Sequence, residues 1–80
     1  MSHLLLSDLS PGASGVLNRV GGSRAYRRRL LELGFVPGTH LKLIRRLDVG
    51  TVLEVELRES RVSLRISEAT VLELVTEETS

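Results

Sequence analysis

Residues 27–39 constrain the fold most, because they encode the end of a helix followed by a reversal of the chain. Arginine, leucine and glutamate favour a helix up to this point, and Gly34 is the residue best suited to the left-handed position after the last turn. If Gly34 ends the helix in this way, the Schellman arrangement places Phe35 against Leu30, one turn back. The helix is therefore expected to be fastened to the rest of the domain at its carboxyl end.

A proline-glycine pair follows and predicts the start of a strand. Pro37 presets φ at the second position of a four-residue turn, and Gly38 accepts the positive φ that a type II turn requires at the third position. We therefore predict a strand that leaves the turn at Thr39. An earlier proline-glycine pair precedes another apolar segment, residues 15–20, so a strand is predicted there as well.

The composition predicts a small, mainly β domain. A chain of 80 residues is expected to form one domain, residues 1–80, and to bury only about 60% of its unfolded surface in a thin core. The sequence has one Phe, one Tyr and no Trp, so the core must come mainly from Leu, Val and Ile. These residue types favour strands, which together with the helix predicts a small β-barrel with one or two short helices.

Several absences in the sequence predict its compartment. The chain contains no cysteine, which removes disulfides and zinc knuckles and favours a reducing environment. No apolar run approaches the ~20 residues that span a bilayer, and no basic segment precedes a signal core. We therefore expect a cytoplasmic protein without membrane insertion, with a frayed acidic tail at residues 76–80.

The helix is predicted to be amphipathic. Ser23 is a good N-cap for a helix that runs through Leu33. At 100° per residue, Tyr26, Leu30 and Leu33 fall within a narrow stripe, which is predicted to be the buried face.

The opposite side of this helix groups three arginines around one leucine. We call this group the outer patch; its residues are Arg24, Arg27, Arg28 and Leu31. One interpretation is a solvated helix face with a stray leucine, which is normal on any surface. The other is a docking patch for an acidic protein surface, because interfaces concentrate arginine and apolar centres. The second interpretation is our hypothesis for partner binding.

The pattern after the turn has a period of two residues. Leu41 and Leu43 are predicted to point to the core, while His40 and Lys42 point away. The alternation slips at residues 44–45, which predicts a bulge there. Residues 48–50 are predicted to form the next turn.

The next two strands are predicted to pair as a hairpin with a two-residue loop at residues 59–60. This register brings three apolar pairs to the core face: Leu57 with Val62, Val55 with Leu64, and Leu53 with Ile66. It also places Glu54 opposite Arg65 on the outer face, a favourable cross-strand pair. A helical turn at residues 67–69 and a strand at residues 71–75 are predicted to follow.

No enzyme, catalytic residue, metal site or cofactor is predicted, because the sequence offers no convergent set of titratable groups and no P-loop motif. His3 and His40 lack the dense grouping with Cys and carboxylates that iron and zinc sites show, so we interpret them as surface histidines. Glu54 and Glu56 share a strand face, but the cross-strand arginine explains them more simply than a catalytic pair does. Residues 21–23 could hold one anion through backbone N–H groups, although a turn before the helix cap is the simpler interpretation.

Several segments together resemble the FeoA family in order and spacing. They are residues 6–12 (LSDLSPG), 28–39 (RRLLELGFVPGT), 62–65 (VSLR) and 67–69 (SEA), of which the central run is the most specific. The resemblance implies an SH3-like small β-barrel with a helix inserted between strands. It also implies a cytosolic accessory of FeoB, the membrane transporter of ferrous iron with a cytosolic GTP-binding domain, and it supplies no catalytic motif or contact residues to transfer.

Two alternative functions fit the sequence less well. A small nucleic-acid-binding β-barrel is disfavoured, because the net charge is only +1 and both Tyr26 and Phe35 are assigned to packing rather than to base stacking. A fragment-like relative of an iron-dependent regulator would need a helix-turn-helix segment, which the sequence lacks. Two hypotheses accompany the FeoB interpretation: an arginine of the outer patch acts as an arginine finger on the partner, and open strand edges allow weak self-association.

Overall fold

The computed structural model describes residues 2–76. Within them the chain forms six antiparallel strands and two α-helices, so the prediction of a mainly β domain with short helices is confirmed. The strands are β1 (Ser2–Leu5), β2 (Ser14–Val20), β3 (His40–Leu47), β4 (Val52–Leu57), β5 (Ser60–Arg65) and β6 (Leu72–Thr76). The helices are α1 (Arg24–Glu32) and α2 (Ile66–Ala69), with 3₁₀ turns at Leu6–Asp8 and Asp48–Gly50.

The six strands form one sheet in the order β1-β6-β2-β3-β4-β5, which leaves β1 and β5 at its edges in the described part of the chain. α1 is inserted between β2 and β3, two strands that pair with each other, as predicted. Leu30 is the one residue of α1 that is fully buried. The helix is therefore attached to the barrel through a small contact and presents most of its surface to solvent.

The core is built almost entirely from leucine and valine, as the composition predicted, but neither isoleucine of the described chain belongs to it. β4 shows the alternation most clearly, because Leu53, Val55 and Leu57 are buried while the residues between them are not. Leu6 from the first 3₁₀ turn and Ala69 from α2 are also fully buried in this core. The turn and α2 contact each other, so they cover a side of the core that the sheet leaves open.

The predicted helix ending is confirmed. Gly34 has φ of +107°, its N–H donates to the Leu31 carbonyl at 3.1 Å, and the N–H of Phe35 donates to the Leu30 carbonyl at 3.0 Å. This is the Schellman pattern of hydrogen bonds. Phe35 and Leu30 are both fully buried in the same core cluster, so the carboxyl end of α1 is fastened to the barrel there.

Both proline-glycine turns are confirmed. The N–H of Thr39 donates to the Val36 carbonyl at 3.0 Å, and Gly38 has φ of +96°. The earlier turn has the same hydrogen bond, from Ala13 to the Ser10 carbonyl at 2.9 Å. β3 and β2 begin one residue after these turns close.

The predicted bulge in β3 is also confirmed. Leu43 pairs with Val55, but Arg45 pairs with Glu54, so Ile44 is an extra residue in the ladder. Leu41 and Leu43 point into the core, and His40 and Lys42 are exposed, as predicted.

The predicted register of the β4–β5 hairpin is wrong by two residues. The loop is Arg58-Glu59, with φ of +54° at Arg58, and the paired residues include Leu57 with Ser60, Val55 with Val62 and Leu53 with Leu64. A shift of two residues keeps every side chain on the same face, so the hydrophobic alternation cannot distinguish the two registers. Ile66 accordingly belongs to α2 rather than to a strand pair, and it is partly exposed.

Two smaller predictions are wrong: the burial of Leu33 and the start of the C-terminal tail at residue 76. Leu33 is 40% exposed rather than buried, because it is the C-cap of α1 and the chain turns after it so that Phe35 enters the core instead. Tyr26 is partly buried and packs against the core, and Leu30 is fully buried, as predicted. Thr76 is the last residue of β6 and pairs with Ser2, so it is not part of a tail.

The remaining residues of the predicted tail, 77–80, lie outside the described residues. β1, which supplies one edge of the sheet, was not predicted from the sequence. None of the helices within residues 2–76 has the length and apolar character needed to cross a membrane.

Candidate functional site

The outer patch lies on the exposed side of α1. Ser23 begins the helix, since its Oγ accepts a hydrogen bond from the backbone N–H of Tyr26 at 3.3 Å. All four patch residues are exposed, and Leu31 is 39% exposed among the arginines. The predicted grouping is therefore available on the surface, and its role in binding a partner stays a prediction.

The arginines of the outer patch are only weakly neutralised within the chain. Arg28 Nε lies 3.3 Å from Glu32 Oε1 one turn along the helix, but both side chains are exposed, so this pair contributes little. Arg24 and Arg27 have no ion pair with any residue in the range 2–76. Their guanidinium groups are thus free to bind carboxylates of another molecule.

Two arginines on the sheet surface, Arg45 and Arg61, differ because each forms ion pairs with neighbouring glutamates. Arg45 Nε lies 3.3 Å from Glu54 Oε1, and Arg61 lies 3.8 Å from both Glu54 and Glu56. The predicted partner of Glu54, Arg65, is wrong, because the register shift places Arg65 opposite Val52. The two glutamates therefore belong to a surface network of ion pairs.

The two histidines do not come together. His3 Nδ1 lies 3.0 Å from Glu73 Oε1, and the side-chain amide of Asn18 donates to the same oxygen at 2.9 Å. The hydrogen bond with His3, followed by that with Asn18, holds the pKa of Glu73 below its ordinary value. His40 is exposed on β3, and no group of three His, Cys, Asp or Glu in the described chain could hold a metal ion.

In the glycine pair before α1, the backbone N–H of Gly21 is already used within the fold. The N–H of Gly21 donates to the Val71 carbonyl at 2.7 Å, so it is not free to bind a ligand. A Cβ at this position would lie 3.3 Å from the same carbonyl oxygen. The simpler interpretation of residues 21–23 as a turn before the helix cap agrees with this contact.

A polar cavity on the other side of α1 was not predicted from the sequence. It has a volume of about 340 Å³, lies between α1 and α2, and is lined by Tyr26, Arg29, Arg65, Ser67 and Glu68. Glu68 is 6% exposed, its Oε1 accepts from the backbone N–H of Arg65 at 3.0 Å, and its Oε2 lies 3.5 Å from Arg29 Nη1. The one local signal is a glutamate three residues into a helical turn, where it can accept a backbone N–H.

Comparison with known proteins gives a consistent family. A family model described as the FeoA domain matches residues 4–74. A curated relative from Porphyromonas gingivalis, an Fe(2+) transport protein A/Fe(2+) transporter FeoB fusion protein, is 32% identical over 69 residues. That match covers 86% of this chain, which spans only 8% of the fusion protein's length.

Two solved structures share the fold. The FeoA of Stenotrophomonas maltophilia, solved as a zinc complex and described as a prokaryotic SH3 domain protein, is 37% identical with a TM-score of 0.74 and 86% coverage of each chain. The FeoA protein of Chlorobium tepidum is 29% identical with a TM-score of 0.85, covering 96% of this chain and 74% of its own. The predicted SH3-like barrel is thereby confirmed. Because the family model covers most of its length, this chain belongs to the FeoA domain family.

Proposed function

We propose that this chain is an accessory of ferrous iron uptake that binds the cytosolic GTP-binding domain of a FeoB-type transporter through the outer patch. The observation that carries the proposal is the relative in which an FeoA portion and FeoB form one polypeptide. A fusion keeps two parts at a fixed ratio and at a high effective concentration, which benefits parts that act together. A separate FeoA domain needs a binding surface to obtain the same proximity.

The outer patch has the properties of such a surface. Leu31 supplies an apolar centre, and Arg24 and Arg27 supply guanidinium groups without partners in the described chain. Arginine retains a rigid, bidentate geometry for carboxylates, so it suits an acidic partner surface better than a lysine-rich patch would. Because α1 contributes little to the core, this side of the helix can be covered by a partner without rearranging the barrel.

The test measures the affinity of the purified chain for the purified GTP-binding domain of the FeoB from the same organism. We expect the double variant Arg28→Gln/Leu31→Ser to weaken binding at least tenfold, which corresponds to about 1.4 kcal/mol. The matched control is Leu33→Ser, since Leu33 is 40% exposed against 39% for Leu31 but lies on the other side of the helix. Binding that is absent in the unchanged chain contradicts the FeoB proposal, and unchanged binding in the double variant contradicts the outer patch.

GTP turnover distinguishes docking from direct participation in the reaction. Turnover by the GTP-binding domain is measured with increasing amounts of the chain and of the single variants Arg24→Ala, Arg27→Ala and Arg28→Ala. If one arginine reaches the nucleotide as an arginine finger, its variant loses nearly all stimulation even at saturation, because such a residue supplies about 10³–10⁵ in rate. If the arginines only dock, each variant reaches the same maximum at a higher concentration.

Nucleic-acid binding is less well supported by the described surface. Phe35 is fully buried and Tyr26 is partly buried against the core, so the one Phe and the one Tyr of the chain are both engaged in packing. A labelled oligonucleotide that binds the chain tightly at physiological salt would contradict this assignment.

A further inference from the structure

The cavity between α1 and α2 contains hydrogen-bonding groups that find few partners within the protein. The guanidinium group of Arg65 makes no ion pair with any other residue of the described chain. Tyr26 and Ser67 also line the cavity, and their hydroxyl groups have no hydrogen bond within residues 2–76. Four of the lining residues thus carry donor groups, and three of them have donors without a partner among the described residues.

Glu68 explains why the fourth donor, Arg29, lies in the cavity wall. Its Oε2 is buried without a hydrogen bond, and the nearest cation is Arg29 Nη1 at 3.5 Å. A buried carboxylate is stabilised by a nearby positive charge, so Glu68 attracts the guanidinium group of Arg29, whose side chain is 65% exposed. Glu68 is therefore a positioning residue, fixed in turn by the backbone N–H of Arg65 at 3.0 Å.

The charge of this cavity indicates the class of group that it accommodates. Two guanidinium groups and one carboxylate leave one net positive charge, which a single monoanionic group neutralises. A carboxylate has two oxygens with about four lone-pair positions and pairs bidentately with a guanidinium fork. It can therefore accept from Arg29 and Arg65 and keep lone-pair positions for the hydroxyls of Tyr26 and Ser67.

We propose that this cavity binds a carboxylate group, with Arg29 and Arg65 as its ion-pair partners and the hydroxyls of Tyr26 and Ser67 as further donors. The carboxylate belongs either to a small free acid or to an acidic side chain of a bound polypeptide, and the recognition chemistry is the same for both. The site lies on the opposite side of α1 from the outer patch. It does not depend on FeoB, so its test uses this chain alone.

The experiment is an NMR titration of the ¹⁵N-labelled chain that follows backbone amides and arginine Nε–Hε signals at constant ionic strength. The probes are succinate, inorganic phosphate and an acetylated, amidated tetra-aspartate peptide. We expect succinate or the peptide to give saturable shifts at Arg29, Arg65 and α2. Tighter binding of succinate assigns the site to small acids, whereas tighter binding of the peptide assigns it to an acidic polypeptide segment.

Variants separate this site from general attraction of anions. Arg65→Gln is expected to weaken binding at least tenfold, because it removes a charged, bidentate hydrogen-bond donor. Arg58→Gln removes the same charge from the exposed β4–β5 loop, which belongs to neither proposed binding surface, and is expected to leave the affinity unchanged. Arg65→Lys keeps the charge but loses the fork, so it should bind with intermediate affinity; it also replaces Arg65→Gln should that variant fail to fold.

Three results would overturn the proposal. Equal weakening by Arg58→Gln and Arg65→Gln would mean that only the overall charge attracts the probes. Phosphate that binds more tightly than succinate and the peptide would contradict the carboxylate class. If none of the probes reaches saturation at about 50 mM, Kd lies well above the millimolar range for all of them. The cavity would then be only a hydrated groove.

Discussion

The inner and outer sides of α1 and its following turn are made from the same short run of sequence but have different roles. On the inner side, Leu30 and Phe35 are fully buried and Gly34 takes the left-handed conformation that brings them together. On the outer side, Arg28 and Leu31 are exposed. In this run, residues that the barrel requires alternate with exposed residues that a partner could contact. Sequence similarity over the run therefore indicates a shared fold before it indicates a shared partner.

The largest effect is expected from Phe35→Ala on the inner side. Phe35 has no exposed surface and fills the junction between α1 and the barrel, and truncation of a buried Phe costs about 3–5 kcal/mol. That loss is a large share of the stability of a domain of this size. Urea denaturation monitored by circular dichroism should show an unfolded or barely folded variant. A loss of less than about 1 kcal/mol in the free energy of unfolding would mean that the helix is not fastened to the core through this residue.

A smaller effect is expected from Gly34→Ala, with Gly38→Ala as its matched control. Both glycines have positive φ, +107° and +96°, so each alanine incurs backbone strain of about 1–2 kcal/mol. A Cβ at Gly34 would also lie 2.9 Å from Leu57 Cδ1, whereas a Cβ at Gly38 meets nothing within 4 Å. Denaturation midpoints should therefore fall further for Gly34→Ala. Equal losses would show that backbone strain alone decides both positions.

The features of this run that could be predicted from the sequence are those encoded by neighbouring residues. The helix cap at Ser23, the ending at Gly34 and both proline-glycine turns depend on residues within one turn of the chain, and all of them are confirmed. The bulge at Ile44 could be predicted because it interrupts an alternation that is otherwise regular. Such features are encoded by conformational preferences that tertiary contacts do not override.

The features that could not be predicted depend on contacts between distant parts of the chain. The β4–β5 register differs by two residues from the predicted one. The turn contains Arg58 with a positive φ, a position at which Gly or Asn is the usual sequence signal. The burial of Leu33 was overestimated, since helical periodicity does not show where the chain leaves the helix axis. The cavity joins Arg29 to Glu68 across the fold, and nothing in either local sequence indicates that this carboxylate is buried.

Acid titration tests how much the surface charges around Glu73 contribute to the free energy of unfolding, compared with the inner core. The pKa of Glu73 lies below its ordinary value of 4.5, so the folded chain binds this proton less readily than the unfolded chain does. The stabilisation is therefore present above that value and is lost as the pH falls through the folded pKa. Urea midpoints between about pH 3 and pH 6 should depend less steeply on pH in Glu73→Gln and in His3→Gln, which removes the first cause of the shift. Unchanged slopes would show that the cluster contributes nothing.

The smallest effect on stability is expected from Arg28→Gln combined with Leu31→Ser on the outer side. The exposed pair between Arg28 and Glu32, one turn apart, contributes about 0.2–0.5 kcal/mol, and Leu31 makes no part of the buried core. Since 1 kcal/mol shifts Tm by about 4–8 °C in a domain of this size, the double variant should melt within about 4 °C of the unchanged chain. Differential scanning calorimetry of this variant beside Gly34→Ala compares the two sides of the run directly. A loss for the double variant as large as that for Gly34→Ala would mean that the outer side is architectural, and any weaker binding to a partner would then reflect instability rather than a lost contact.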